Sequence, residues 1–326
     1  MKAIVHYEYG SPDVLRYEEI EKPTPGPDQV LIKVRAAALN PVDVHLMKKM
    51  PFLARKLMKL PEPGVAQPGK IGRDVAGTVE AVGANVTEFK PGDEVFGSSP
   101  GACAEYACAC ASELVHKPAN VSFEEAAAVP VAAYTALQGL RRGLIQSGQK
   151  VLINGASGGV GTFAVQIAKS FGAEVTGVCS TRNLELIRSI GADHVIDYTQ
   201  EDFTETDNRY DLVFDCVWNH SWSACRRIVK PEGSYVIVGG PVTGPMVGFL
   251  SRLMGVTILS KFVSQNFVTF FMAKSCKEDL EVMRELMESG KVKPVIDQRF
   301  PLSDTAAAMR YLLEGHARGK VVINVG

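Results

Sequence analysis

The sequence predicts an α/β protein of two domains, a β-rich N-terminal domain followed by a doubly wound parallel sheet. Its 326 residues exceed the size of one typical domain. Short strand-like segments separated by Gly and Pro fill the first 120 residues. From about Val121 strand and helix patterns alternate, which is typical of parallel sheets with helices on both faces.

The N-terminal strand signals favour an antiparallel barrel or sandwich. They are short, and turns such as PTPGP and KPGD separate them. No long amphipathic helix interrupts them. The signals are AIVHY, QVLIKVRAAAL (29–39), AGTVEAVG (76–83), DEVFG (93–97) and CAEYACACA (103–111).

In the second half the apolar period switches between that of a strand and that of a helix. Helices are predicted for FEEAAAVPVAAYTALQGL, GVGTFAVQIAKSFG, RNLELIRSIG and SWSACRRIV, and strands for KVLIN, EVTGVCS, HVIDY, DLVFDCV, SYVIVGG and VTILS. After about Gln265 two helices alternate with the strands VKPVIDQRF and GKVVINVG. Periodicity does not decide whether this tail extends the parallel sheet or returns to the first half.

Composition excludes several classes of function. Lys and Arg (35) nearly balance Asp and Glu (36), so no basic field favours nucleic acid. The N-terminal segment lacks the pattern of a signal peptide, and no apolar stretch is long enough for stable membrane insertion. We therefore expect a cytoplasmic protein. Seven cysteines, an odd number in a long chain, indicate reduced thiols.

A glycine-rich turn is the strongest chemical signal. Gly155, Gly158 and Gly161 follow the strand VLIN and precede a helix, at the spacing G-x-x-G-x-x-G. Backbone N–H groups at such a helix start can approach a pyrophosphate where no Cβ intervenes. We expect a dinucleotide there, held by the amides of Ser157, Gly158, Gly159 and Val160; the alternative is a tight turn that needs glycine for packing alone.

The next strand end bears on the choice of dinucleotide. An acidic residue there would bind the ribose hydroxyls of NAD and repel a 2′-phosphate. This chain has Ser180, Thr181, Arg182 and Asn183, with no carboxylate before Glu185. Arg182 offers donors suited to phosphate, so NADPH is predicted, and the alternative is that Arg182 is merely exposed at a helix start.

Several motifs in order along the chain resemble the zinc-independent quinone oxidoreductases, relatives of zeta-crystallin in the medium-chain dehydrogenase/reductase superfamily. The resemblance implies a GroES-like β-barrel domain at 1–121, completed by 265–326, and a Rossmann NADP-binding domain at 122–264, with the cofactor between them. The motifs are LNPVDV (39–44), IGRDVAGTVEAVG (71–83), FKPGDEVFG (89–97), AAVPVAAYTALQGL (127–140), INGASGGVG (153–161), GADHVIDY (191–198) and GKVVINV (319–325).

The resemblance also implies roles for single residues. Asn40 and Thr135 would line the nicotinamide pocket, Tyr198 would lie near the adenosine phosphate, and Lys320 would reach the pyrophosphate. Ser180 and Arg182 fall at the 2′-phosphate positions, with Asn183 where the family usually has lysine. Gly239 and Gly240 would contact the nicotinamide ribose. Where the family often has Val-Gly-Gly, this chain has Cys216-Val217-Trp218, and the indole would either narrow the substrate cleft or pack beneath it.

Zinc-dependent members of the superfamily bind a catalytic metal, but the residues that this chain has at their zinc positions do not suit a metal. The early cysteine is replaced by Leu39-Asn40 and the Gly-His-Glu motif by Gly72-Arg73-Asp74, and arginine cannot act as a ligand. A structural zinc site in the superfamily needs four thiolates, whereas Cys103, Cys108 and Cys110 supply only three, with His116 as the nearest candidate for a fourth ligand. The expected role of these thiols is packing along an Ala-rich strand. We expect no metal.

Without a Lewis acid, a conjugated acceptor is easier to reduce than an isolated ketone, because the negative charge that hydride addition creates is delocalised in the resulting enolate or phenolate. The expected reaction is hydride transfer from NADPH to a quinone or an α,β-unsaturated carbonyl. Asn40 is the main catalytic candidate, with Arg73 and Tyr134 behind it, and Asp43 and Asp74 are expected to cap turns or pair with arginines. Alternatives are an enoyl-thioester or alkenal reductase, and an NADPH-binding scaffold without turnover.

Two further expectations concern surfaces. The basic segment 45–70 interleaves lysine and arginine with Met, Phe and Leu. It is interpreted as a substrate lid or an exposed loop, with a membrane-surface contact as the alternative, since Pro51 interrupts any long amphipathic helix. The family resemblance also suggests a homodimer through the sheet edge near GVTILS (255–260).

Overall fold

A computed structural model describes residues 1–47, 71–239, 255–257, 259–260, 263–268 and 273–326. Most of the basic segment 45–70 lies outside the described residues. The strands are, in chain order, β1 Lys2–Val5, β2 Arg16–Glu19, β3 Gln29–Leu39, β4 Asp74–Val82, β5 Glu94–Ser98, β6 Tyr106–Cys110, β7 Leu114–His116, β8 Lys150–Asn154, β9 Glu174–Cys179, β10 His194–Asp197, β11 Tyr210–Asp215, β12 Val229–Ile237, β13 Asn266–Val268, β14 Ile296–Pro301 and β15 Lys320–Asn324. The helices are α1 Pro41–Met47, α2 Phe123–Ala127, α3 Pro130–Arg142, α4 Gly159–Ser170, α5 Leu184–Ser189, α6 Trp222–Arg227, α7 Lys277–Glu288 and α8 Thr305–Leu313.

The chain forms two compact units. The first comprises residues 1–131, 275–288 and 294–326, and the second comprises 132–274 and 289–293. The sequence places the boundaries earlier, after 121 and after 264. They lie later because α2 packs on strands β3, β4 and β5, whereas β13 joins the parallel sheet.

The first unit contains a mostly antiparallel sheet in the order β14-β15-β3-β4-β5-β7, and β6 also pairs with β3. The long strand β3 is its centre, because apolar residues along β3 are buried against several neighbours. Strand β15 pairs antiparallel with β3, Val321 opposite Leu39, and β14 lies parallel to β15. The C-terminal segment therefore lies in the first unit.

The second unit contains a sheet in the order β10-β9-β8-β11-β12-β13 with every neighbouring pair parallel. This confirms the doubly wound parallel sheet, whose order reverses beside β8. The strand predicted at VTILS is wrong. Residues 255–257 are helical and Val256 is buried in an apolar cluster, so the edge strand among the described residues is β13.

Within the described ranges, no helix combines the length and the apolar character that a membrane span needs.

Candidate active site

The turn between β8 and α4 contains the glycine motif, and its glycines have different reasons to be glycine. Gly155 has φ +80°, a conformation that favours glycine. A Cβ on Gly161 would lie 2.1 Å from the Gly155 carbonyl oxygen, so Gly161 is needed for packing. A Cβ on Gly158 would meet nothing closer than 3.5 Å, and its φ of −80° suits any residue. Packing therefore does not explain Gly158.

Helix α4 begins here with Gly158 as its N-cap, and the first helical hydrogen bond joins Thr162 N–H to the Gly158 carbonyl. The N–H groups of Gly159, Val160 and Gly161 consequently have no helical acceptor and carry the positive end of the helix dipole. Of the predicted phosphate donors, Gly158 N–H already donates to the Gly155 carbonyl at 3.1 Å. The turn suits an anion through Gly159 and Val160.

Three predicted cofactor residues meet at the carboxyl ends of β8 and β9. The Asn183 amide nitrogen donates to Ser157 Oγ at 3.0 Å and lies 3.2 Å from Ser180 Oγ. Asn183 is 3% exposed, and within the described part of the chain its Oδ1 has no hydrogen-bond partner. This contact joins the glycine turn to the end of the next strand.

The other two residues predicted for the adenosine side are exposed. Arg182 lies on the 3₁₀ turn that follows β9, and the Tyr198 side chain is exposed after β10. The Thr181 hydroxyl donates to Asp197 Oδ2 at 2.5 Å, which is the main cause of a lowered pKa of Asp197. The Asp197 carboxylate is thus held by the Thr181 hydroxyl and by the backbone N–H of Thr199.

A buried carboxylate, Asp215, organises the loop after β11. Its Oδ1 accepts from Asn154 Nδ2 at 2.9 Å, from Val217 N–H at 2.9 Å and from Trp218 N–H at 2.7 Å. The Tyr235 hydroxyl donates to Oδ2. Asp215 thereby ties the ends of β8, β11 and β12 together.

Trp218 is buried in the apolar cluster of the second unit and has φ +55°, a left-handed conformation that is unusual for a bulky residue. The indole thus packs inside the unit, as the second sequence alternative stated. The turn held by Asp215 also places Val217 against Gly155. A Cβ on Gly155 would lie 2.8 Å from Val217 Cγ2.

The remaining predicted residues of the second unit lie on α3 and after β12. Tyr134 is buried on α3 and Thr135 is half-buried beside it. Gly239 packs tightly: a Cβ there would lie 2.1 Å from the Cys216 carbonyl oxygen. Gly240 lies outside the described residues.

In the first unit, Asn40 and Lys320 form a buried polar cluster with Asp74. Asn40 Nδ2 donates to Asp74 Oδ2 at 2.8 Å, and Lys320 Nζ lies 2.5 Å from Asn40 Oδ1 and 3.0 Å from Asp74 Oδ2. Asp74 Oδ1 accepts from Val131 N–H at 3.0 Å. Of the two expected roles, Asp74 has the capping one, at the start of α3, and its cation partner is Lys320 and not an arginine. Strand β15 brings Lys320 to β4 through β3.

Asp43 caps the turn before α1, as expected, since its Oδ2 accepts from Asn40 N–H at 2.8 Å. Burial raises the pKa of Asp43 to about 7, and the nearby Asp74 carboxylate adds to the rise. Arg73 is half-buried, and its positive charge lowers the pKa of Asp43 and so offsets part of that rise.

The pKa of Asp43 predicts a pH dependence of stability. The ordinary pKa is 3.8, so between about pH 4 and pH 7 the folded state holds a proton that the unfolded chain has lost, and stability falls as pH rises. An Asp43→Asn variant has no such proton. Its stability relative to wild type should rise by a few kcal/mol through that window and stay constant above it. Urea unfolding at several pH values measures the difference, and a pH-independent difference would contradict the raised pKa.

The donor set does not fit a catalytic zinc. Asn40, Arg73 and Asp74 stand at the corresponding sequence positions, and Asp74 is already bonded to Lys320 and Asn40. Cys103 is buried with a raised pKa, caused mainly by desolvation, whereas Cys110 is exposed. No group of three or more Cys, His, Asp or Glu side chains suited to a metal occurs among the described residues.

Sequence reasoning missed the central roles of Asp74 and Asp215. Both carboxylates stand at an end of a buried strand, Asp74 beginning β4 and Asp215 ending β11. An acidic residue directly adjoining an apolar run is a signal that could have found them, because a buried carboxylate requires several donors.

Comparisons with known proteins agree with this geometry. Residues 26–134 match the family model for the alcohol dehydrogenase GroES-like domain, and 190–323 match that for zinc-binding dehydrogenases. A 2-methylene-furan-3-one reductase of Solanum lycopersicum is 40% identical and an NADPH-dependent alkenal/one oxidoreductase of Arabidopsis thaliana is 38% identical, each over 99% of this chain and 79% of the relative. A Coxiella burnetii quinone oxidoreductase structure is 31% identical with a TM-score of 0.85, over 100% of this chain and 99% of that one. The predicted fold class is confirmed, and the chain belongs to the medium-chain dehydrogenase/reductase superfamily, beside its quinone and alkenal/one oxidoreductases.

Proposed function

We propose that this protein is an NADPH-dependent oxidoreductase that reduces a quinone or an α,β-unsaturated carbonyl. The observation that carries the proposal is the turn from Gly155 to Gly161, where α4 presents N–H groups beside a glycine that packing does not require. When bound, NADPH supplies the hydride. The names of the two plant relatives and of the solved quinone oxidoreductase support both the cofactor and the acceptor class.

The two units take different parts in this proposal. The second unit binds the dinucleotide: Gly159 and Val160 hold the pyrophosphate, and the exposed Arg182 guanidinium holds the 2′-phosphate. The first unit is the catalytic domain and contributes Asn40. Lys320, which the resemblance assigned to the pyrophosphate, is buried and instead orients Asn40, because its ammonium donates to the amide oxygen while Asp74 accepts from the amide nitrogen. Arg73, Tyr134, Thr135, Tyr198, Gly239 and Gly240 keep their predicted roles as proposals.

Substrate class is tested by the rate of NADPH oxidation. We expect turnover with a quinone or an enone such as an alkenal. Preference for an enoyl thioester would favour the alternative reductase. Tight NADPH binding without turnover on any of the three acceptors would instead indicate a binding scaffold.

A Gly158→Ala variant tests the cofactor site. The added methyl group fits the protein and the backbone conformation, so the free energy of unfolding should change by less than about 1 kcal/mol. The methyl would face the pyrophosphate, and we expect NADPH binding to weaken at least about tenfold. Calorimetry measures binding and urea unfolding measures stability. Unchanged NADPH affinity in a folded variant would contradict the site.

Assembly and location are also proposals. We propose a homodimer through the edge of the parallel sheet, which among the described residues is β13, where backbone groups can bond a second copy. Sedimentation at several protein concentrations tests it. We propose a cytoplasmic location, although the name of the Arabidopsis relative is chloroplastic, and cell fractionation decides between them.

A further inference from the structure

We propose that Asn183 binds the 3′-hydroxyl of the adenosine ribose through its side-chain oxygen and makes no contact with the 2′-phosphate. This inference rests on the proposed NADPH site and assigns Asn183 a role different from the 2′-phosphate contact that the family resemblance implies. The observation behind it is the buried Oδ1 that no described residue bonds.

The hydrogen bonds that Asn183 already makes leave only its side-chain oxygen as a group that could bond a ligand. Its amide nitrogen lies within bonding distance of Ser157 Oγ and Ser180 Oγ, so both of its protons have acceptors. Its backbone N–H donates to the Ser180 carbonyl at 2.8 Å. What remains is an acceptor oxygen on a side chain that is 3% exposed. Leaving such an oxygen unbonded is unfavourable, so a ligand donor that reaches it is favoured.

The position of this oxygen indicates which donor it meets. Asn183 bridges the glycine turn after β8 and the end of β9, the two neighbouring carboxyl ends between which a dinucleotide places its adenosine ribose. A phosphate at neutral pH offers only acceptor oxygens and cannot bond a carbonyl oxygen. A ribose hydroxyl can donate to it, and in NADPH the free hydroxyl of that ribose is the 3′ group.

The neutrality of the amide explains why asparagine suits NADPH. A carboxylate at this position would accept from the same hydroxyl but would repel the adjoining 2′-phosphate. Asparagine supplies the acceptor without the charge, and Arg182, which is exposed on the same turn, is the residue proposed to hold the phosphate.

Two substitutions test the assignment, with dissociation constants measured for both NADPH and NADH. Asn183→Ala removes the acceptor, and because both dinucleotides keep the 3′-hydroxyl, both affinities should fall by a similar factor of about 5–10. Asn183→Asp keeps the acceptor and adds a charge, so NADH affinity should stay within about threefold while NADPH affinity falls at least about 30-fold. Thr181→Ala is the matched control, because its hydroxyl lies on the same turn but bonds Asp197; neither affinity should change.

Each result decides the proposal. If Asn183→Ala weakens NADPH alone, Asn183 contacts the 2′-phosphate and the proposal is overturned. It is equally overturned if both affinities stay unchanged, or if Asn183→Asp leaves the ratio of the two affinities unaltered. Urea unfolding of each variant separates loss of binding from loss of fold. Failure of the proposed cofactor site would look different, since the wild-type protein itself would then bind neither dinucleotide.

Discussion

A Lys320→Met variant is expected to lose about 3–5 kcal/mol of unfolding free energy, one of the two largest effects we predict for a single substitution. Lys320 is 3% exposed and its ammonium lies 3.0 Å from Asp74 Oδ2, while the Asp74 carboxylate is wholly buried. Methionine fills much of the same volume but leaves that carboxylate without a cation. Breaking a buried ion pair on one side strands the other charge in a medium that solvates it poorly.

Denaturant unfolding of two further variants checks this reason. Lys22→Met removes one side of the exposed Lys22–Glu80 pair, and little change is expected because water screens both charges. The double variant Lys320→Met/Asp74→Asn removes both buried charges and keeps an oxygen that accepts from Val131 N–H, so it should recover part of the lost stability. A double variant less stable than Lys320→Met would show that packing, and not the stranded charge, causes the loss.

The second large effect is expected at Asp215. Asp215→Ala leaves the N–H groups of Val217 and Trp218, the Asn154 amide and the Tyr235 hydroxyl without their acceptor. Each unsatisfied buried donor costs about 1–3 kcal/mol, partly relieved by relaxation, and we expect a loss of about 3–5 kcal/mol. Because the turn also places Val217 beside Gly155, NADPH affinity should fall as well.

Asp215→Asn is the informative companion. The amide oxygen can still accept from Val217 N–H and Trp218 N–H, so the turn should persist and NADPH affinity should stay close to that of wild type. Its amide nitrogen would face the Tyr235 hydroxyl, which can accept. If Asn lowers stability and affinity as much as Ala does, the negative charge matters rather than the acceptor geometry, and our account of the loop is wrong.

The sequence predicts the parallel sheet well because its information is local. Strand, glycine turn and helix follow each other between Lys150 and Ser170, and the same unit recurs along the chain. The glycine site is predictable for the same reason, since the motif and its anion-binding helix start are adjacent. The strand prediction for VTILS is wrong because a short apolar run fits a buried helix as well as a strand, and only the packing around it decides which of the two forms.

The buried polar clusters cannot be predicted from local sequence patterns. Asn40, Asp74 and Lys320 meet only because β15 pairs with β3 and β3 with β4, and no motif announces contacts between residues so far apart in sequence. The sequence places Asn183 where the resembling family has a lysine, and only the structure shows that its amide nitrogen already bonds Ser157 and Ser180 and that its oxygen has no partner among the described residues. Whether an amide offers a donor or an acceptor depends on which of its atoms neighbours already occupy.

The pairing of β15 with β3 also has a consequence for biosynthesis. Strand β3 leaves the ribosome almost three hundred residues before its partner, since Leu39 lies opposite Val321. Until β15 has been synthesised, residues 36–39 of β3 lack this partner and present unbonded backbone groups, which is the kind of surface that recruits chaperones or joins aggregates. Truncation shortly before Lys320 should therefore harm solubility far more than its small share of the chain suggests.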